Sequence, residues 1–411
     1  MEVLMKSIYK IVVFFVFLFM VGCKQEEALP QKNEIVEFEF FNTKKETQEI
    51  MNHLIKEFEH EYPNIRVNHN TSVGGHQTLL SRFASNNVPD VFIQWPNATW
   101  EKQVEEGFVL ELTNQKFMDR IDSQVRQEYQ INGGDYILPL TYNTSGVFYN
   151  INIYEELGLS IPQDFESLLK NAEIIEQSGT APFSFMGKDH LSVHQQWYAL
   201  LPSLNDYDGF IKASLAGDVS EYREELALLT QQFLRLSSYG QEDMLQTTND
   251  QAVYNFAQGK SAMLIMGSWK IPWIKQINQD INFAMFPIPK QNGAAEYVPA
   301  FAGDFSLCVS SKTEKKEAAL LFLEFISRVE NMEYFCENDG SIPVVTGVDV
   351  DIPELSLHKK YLNEGRYRTN ADAYWSSQTN ELLAEQVQKL LLTKDRDSFV
   401  DAIIRIFKES Q

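Results

Sequence analysis

Ile35-Val-Glu-Phe-Glu-Phe-Phe-Asn42 and, a few residues on, Ile50-Met-Asn-His-Leu-Ile-Lys-Glu-Phe58 carry two different hydrophobic periods side by side. In the first, Val36, Phe38 and Phe40 alternate with Glu37 and Glu39, the two-residue repeat of a strand with unlike faces. In the second, Ile50, Met51, Leu54, Ile55 and Phe58 fall on one side of a helix. That helix is expected to stop before Pro63, and Ile65 and Val67 begin another strand. The alternation continues: 77–85 reads as helix, 90–93 as a short buried strand, and 100–106 as a helix closed by Gly107. Strands alternating with helices imply an α/β fold with a largely parallel sheet covered on both faces. In such sheets ligands bind beyond the carboxyl ends of the strands, so the segments around 41–46, 94–99, 141–143 and 301–304 are the expected binding loops.

Further along, 145–149 reads as strand and 153–157 as a short helix ended by Gly158, while 162–177 is a helix with proline near its first turn. Segments 221–236 and 249–257 are helical in pattern, and 262–265 and 282–286 are strand-like. Residues 315–329 form an amphipathic helix, and the last forty residues are helical with Leu382, Leu383, Val387, Leu390 and Leu391 on one face. No internal repeat is visible.

The first residues read as an export signal rather than as fold. Lys6 and Lys10 precede the apolar run Ile11–Val21, which is shorter than the roughly 20 residues a membrane-spanning helix needs. Gly22-Cys23 follows at once and resembles a bacterial lipobox, in which the cysteine is lipidated. Met20 stands where leucine is commoner. Residues 1–22 are therefore expected to be a lipoprotein signal peptide and 23–34, polar and containing Pro30, a flexible tether. The net charge of −22 argues against a nucleic-acid partner, which demands lysine and arginine to displace counterions from phosphate. Of the three cysteines, Cys23 is assigned to lipid. Cys308 and Cys336 are open to two readings, a disulfide or two buried free thiols.

A search for reaction chemistry finds none. Gly259-Lys260-Ser261 looks like the tail of a phosphate loop, but Tyr254 stands where that loop needs glycine. His190 and His194 have the spacing of two metal ligands on a helix without an acidic partner to complete a metalloprotease motif. Asp206 and Asp208-Gly209 lack the remaining positions of a calcium loop. No metal or cofactor is expected. Trp95, Trp197, Trp269 and Trp375 each lie beside polar residues: Gln94 and Asn97, Gln195 and Gln196, Ser268 and Lys270, Ser376 and Ser377. A sugar presents a flat C–H face that stacks on an aromatic ring and hydroxyls that need amides and carboxylates, so these are candidate ligand platforms. Taken singly, a tryptophan is more often core than ligand contact.

Several segments together resemble one family. Asn150-Ile-Asn-Ile-Tyr-Glu-Glu-Leu-Gly158, Phe256-Ala-Gln-Gly-Lys-Ser-Ala-Met-Leu-Ile-Met-Gly-Ser-Trp269, Phe286-Pro-Ile-Pro289, the Glu317–Phe325 segment and Gly340-Ser-Ile-Pro343 are similar to family 1 extracellular solute-binding proteins, the receptors of sugar ABC importers. The resemblance runs through nearly all of 35–411. It implies a two-lobed periplasmic-binding-protein-like fold, each lobe a mixed sheet flanked by helices, with three inter-lobe crossings near 141–144, 298–303 and 341–345. The lobes implied are 35–142 with 300–343, and 143–299 with 344–411. Position by position it nominates Trp269 and Trp375 as sugar-stacking residues and Asn143 where a family member has a ligand-contacting glutamate. Gln94, Trp95 and Trp197, with Glu46, Phe301, Gly303 and Asp304, complete the expected binding set, and Phe165 is expected to be packing.

The resemblance implies a lipid-anchored monomer on the extracytoplasmic face of the cell membrane, capturing a carbohydrate, in all expectation an oligosaccharide, for partner permease subunits. It implies no enzymatic activity. An extracellular glycan-acting enzyme and a lipoprotein that presents its ligand to a sensor are the competing readings.

Overall fold

A computed structural model describes residues 35–71 and 74–410. The export signal, Cys23 and the tether lie outside the described residues. Ten strands are described: β1 (Val36–Asn42), β2 (Ile65–Thr71), β3 (Val91–Ile93), β4 (Leu138–Asn150), β5 (Ala181–Phe183), β6 (Ser261–Gly267), β7 (Phe283–Phe286), β8 (Val298–Val309), β9 (Ile342–Pro343) and β10 (Tyr367–Thr369). The hydrogen-bonded order is β2-β1-β3-β8-β4-β6-β5. β1 is parallel to β2 and β3, as the strand–helix alternation requires, while β8 runs antiparallel to β3 and β4.

The two long strands organise the molecule. Residues Leu138–Thr144 of β4 pair with β8, and residues Ser145–Asn150 of the same strand pair with β6 and β7 of a second sheet. The β4–β8 ladder slips register between Pro139 and Thr141 and again between Thr141 and Asn143. Such bulges bend and twist a strand, which lets one continuous chain serve two sheets. The expected strand at 145–149 is thus only the second half of β4. The segments 141–143 and 301–304, expected as loops, lie inside strands.

β6 is buried along its whole length because it is covered on both faces. Leu264 and Met266 enter one hydrophobic core, which continues through Leu140 and Ile342 into the first sheet; Met263 and Ile265 enter another. The helix over Gln48–Glu61 buries Ile50, Met51, Leu54, Ile55 and Phe58, the five positions its sequence period selects.

Two helical segments divide where one continuous helix was expected. The segment 315–329 divides into helices Lys316–Ile326 and Val329–Asp339. At the break Arg328 forms ion pairs with Glu61 at 2.7 Å and with Glu324 at 2.9 Å. The C-terminal helical stretch divides into Ser377–Thr393 and Arg396–Glu409 at Lys394, whose φ of 56° ends the first helix, while the Asp395 carboxylate caps the second. Within it Leu383, Val387, Leu390 and Leu391 are buried, but Leu382 is solvent-exposed. Cys308 and Cys336 are both buried free thiols, and burial pushes both upward in pKa. No helix among the described residues is long and apolar enough to cross a membrane.

Candidate functional site

The loop after β1 is built by its own side chains. Asn42 accepts the Lys44 amide at 2.8 Å and donates to the Thr47 hydroxyl at 3.1 Å, an Asx-type turn that fixes a buried bend. The bend delivers the Lys44 ammonium to Asp304 in β8, at 2.6 Å, with both side chains almost wholly buried. Glu46 adds a second carboxylate at 3.6 Å. The other oxygen of Asp304 accepts the Asn143 amide at 2.9 Å. Asp339, buried at the end of its helix, is a third carboxylate facing the same ammonium. Burial alone would push Lys44 down. Attraction to Asp304, then to Glu46 and Asp339, outweighs it and holds the ammonium above its ordinary pKa. The Asp339 pKa rises as well, but for the opposite reason: burial raises it to about 6, against the pull of Lys44.

This network leaves one group unserved. Asn143 Oδ1 is buried and has no hydrogen-bond partner among the described residues. A buried carbonyl without a donor costs about 1–3 kcal/mol, which a donor arriving from outside would recover. Asn143 pairs with Phe301 in the β4–β8 ladder, next to Thr144, whose amide donates to the Ser268 hydroxyl at 3.1 Å. Trp269 follows Ser268 directly.

Trp95 approaches from the other side. Gly303 makes this possible, since a Cβ there would meet the Pro96 ring at 2.3 Å. The Trp95 ring is half-buried and stacks on His76 with centroids 5.0 Å apart and planes at 27°. Burial lowers the His76 pKa and favours the neutral ring. Trp269 is also half-buried, its six-membered ring lying against Gly267, where a Cβ would meet it at 1.7 Å. Trp273 is half-buried too, with the Lys270 ammonium 4.6 Å from its ring centroid. Trp95, Phe301, Asn143 and Trp269 therefore gather around the junction of the two sheets, at the carboxyl ends of β3 and β6. Glu46 and Asp304 stand beside them.

Three expected contacts need correction. Gln94 is fully buried; its amide donates to Gln103 at 2.6 Å and its carbonyl accepts the Trp95 amide at 3.1 Å. It shapes the turn that carries Trp95, and its burial keeps it from lining the surface as a ligand contact. Trp197 is 1% exposed and packs edge-on against Phe399 at 5.4 Å. Trp375 is 4% exposed, donates its ring N–H to Ser214 at 2.9 Å and packs against Tyr198 and Phe407. Their polar neighbours have structural duties. Ser376 caps the helix beginning at Ser377, and Gln196 bonds the Met186 carbonyl at 2.8 Å. Sequence reasoning did not single out Lys44, His76, Trp273 or Asp339. The four-residue spacing of Trp269 and Trp273 was a usable signal, whereas Lys44 and Asp304 are joined only by folding. Phe165 is buried, as a packing residue should be. Among the described residues no group of His, Cys, Asp and Glu is arranged to hold a metal ion.

Residues 53–359 match the family model described as bacterial extracellular solute-binding protein. The multiple sugar-binding protein of Streptococcus mutans is 27% identical over 388 residues, covering 90% of this chain and 91% of that protein. The melibiose/raffinose/stachyose-binding protein MelE of Bacillus subtilis is 20% identical over 362 residues, covering 85% and 83%. Among solved structures, the solute-binding protein RafE in complex with raffinose superposes with a TM-score of 0.83 at 23% identity, covering 91% of this chain and 99% of that one. A sugar transporter protein from Bacillus licheniformis in complex with stachyose gives 0.75 at 21% identity, covering 92% and 100%. These likenesses establish the two-lobed α/β architecture. The chain is a member of the bacterial extracellular solute-binding proteins.

Proposed function

We propose that the protein captures a carbohydrate, an oligosaccharide, in the cleft between its lobes and hands it to the permease subunits of an ABC importer. The observation that carries this reading is the buried Asn143 carbonyl left without a donor at the junction of the two sheets, with half-buried Trp95 and Trp269 near it. A sugar hydroxyl supplies the missing donor, and its ring C–H face covers an indole; the two demands together describe a carbohydrate. The names of the relatives in Streptococcus mutans and Bacillus subtilis agree with that class. Asp304 commits both oxygens to Lys44 and Asn143, which suits holding a geometry rather than moving a proton, so the protein acts by binding without chemistry. The binding set is Glu46, Trp95, Asn143, Trp269, Phe301, Gly303 and Asp304, with lobes 35–142 plus 300–343 and 143–299 plus 344–411 closing as rigid bodies. The protein acts as a monomer at the extracytoplasmic face, tethered by lipid on Cys23.

Calorimetry with raffinose, stachyose, xylo-oligosaccharides and chito-oligosaccharides tests the reading. Saturable binding of at least one, weakened in Asn143→Ala, is expected. Absence of binding across the panel, in protein shown to be folded, would refute carbohydrate capture.

A further inference from the structure

Lys270 is a cation with no ion pair among the described residues. It follows Trp269 at the carboxyl end of β6, in the short helical turn Ser268–Lys270. Its side chain is half-buried, and its ammonium lies over the Trp273 ring at 4.6 Å. It makes no hydrogen bond and no ion pair among the described residues; its close contact is that ring. Most other half-buried or buried cations here are paired: Lys44 with Asp304, Arg82 with Glu39, Arg126 with Asp135. Burial pushes the Lys270 pKa down, and the attraction of Asp250 and of Glu46 opposes this without reversing it. Glu46 belongs to the loop after β1, so the ammonium lies within electrostatic reach of the opposite wall. An ammonium has three donors, and a cation–π contact uses none of them.

We infer that Lys270 is a ligand-contacting, specificity-determining residue of the cleft, donating hydrogen bonds to hydroxyls of a neutral sugar that packs against Trp269 or Trp273. The inference rests on the carbohydrate reading above and adds a residue and a charge preference to it. The charge preference follows from the facing wall. There Lys44 is surrounded by Asp304, Glu46 and Asp339, so one ammonium faces three carboxylates, and Asp250 adds a further carboxylate that attracts Lys270 from beyond ion-pair distance. A sugar bearing a carboxylate enters a field of its own sign, while a neutral polyol meets none of that repulsion and gains the Lys270 donors. The ammonium held over the Trp273 ring keeps the donors in place, so little side-chain freedom remains to be lost on binding.

The test compares the parent with Lys270→Met, which keeps an unbranched apolar side chain of similar length and removes the donors, and with Lys270→Arg, which restores charge and donors. Affinities for raffinose, stachyose and digalacturonate are measured by calorimetry, and apo melting points are recorded alongside. Lys270→Met should lose about ten- to a hundred-fold in affinity for the neutral sugar that the parent binds, the loss expected for a charged hydrogen bond, with little change in melting point. Lys270→Arg should recover part of it, and digalacturonate should bind more weakly than the neutral sugar. Unchanged neutral-sugar affinity in Lys270→Met overturns the contact while leaving carbohydrate capture standing. Tighter binding of digalacturonate overturns the charge preference. A parent that binds none of the three overturns the carbohydrate reading for these sugars, and the role of Lys270 with it.

Discussion

Trp375 and Trp269 look alike in sequence, each an indole beside serines, yet the structure gives them opposite consequences on truncation. Trp375 is 4% exposed, and its ring meets Tyr198 edge-on at 5.5 Å and Phe407 at 5.0 Å. Replacing it by alanine removes a large buried surface and leaves a cavity beside Tyr198, Phe210 and Phe407, at a cost of about 3–5 kcal/mol. The lost bond from its ring N–H to Ser214 adds little, because the Ser214 hydroxyl keeps its own bond to the Ile211 carbonyl at 2.7 Å. Trp269 is half-buried, so its truncation opens a smaller void. It should instead weaken sugar binding by about 1–3 kcal/mol, roughly ten- to a hundred-fold in Kd. Urea unfolding and calorimetry with raffinose, on both alanine variants, separate the two effects. Trp375→Ala should lose its urea midpoint while its folded fraction binds as the parent does. Trp269→Ala should do the reverse. A stable Trp375→Ala protein with much weakened binding would refute the core assignment.

The Asp339 carboxyl, raised from 3.8 to about 6 mainly by burial, makes stability depend on pH. The folded protein holds this proton more tightly than the unfolded chain, so the stabilisation is complete below about pH 4 and lost as pH rises through about 6. The whole shift is worth roughly 3 kcal/mol. Asp339→Asn should therefore flatten the fall in urea midpoint between about pH 4.5 and 8 that the parent shows; equal slopes in the two proteins would remove Asp339 as the cause. Gly303→Ala puts a Cβ 2.3 Å from the Pro96 ring and must move the Trp95 turn. About 1–3 kcal/mol of stability should go, together with sugar affinity, and a variant matching the parent in melting point and calorimetry would show that the turn has slack.

The parts of the fold legible in the sequence are those whose pattern is enforced locally. β1 and the helix after it announce themselves because one face of each must be apolar at a period the backbone geometry dictates. The block from Phe256 to Trp269 was readable for the same reason: a helix, a turn at Gly259 and a strand covered on both faces leave an unbroken apolar run. Even the break at Lys394 had a local sign in Asp395, which caps the following helix. What no local pattern carries is the partner. Leu382 occupies a position the helical period assigns to the core, but nothing packs over it to close it off.

The sequence by itself thus determined the α/β class, the order of most elements and the family. Which tryptophan is core and which keeps an open face was decided by tertiary structure, because a polar neighbour such as Ser376 caps a helix as readily as it could bind a hydroxyl. The same is true of the charges. Lys44 and Asp304 are separated by 260 positions, and their ion pair exists only because the loop after β1 reaches past the short β3 to β8 in the folded sheet. The buried vacancy at the Asn143 carbonyl is a tertiary fact of this kind: its amide is claimed by Asp304 from another strand, and desolvation by the surrounding core is what makes the unclaimed oxygen costly.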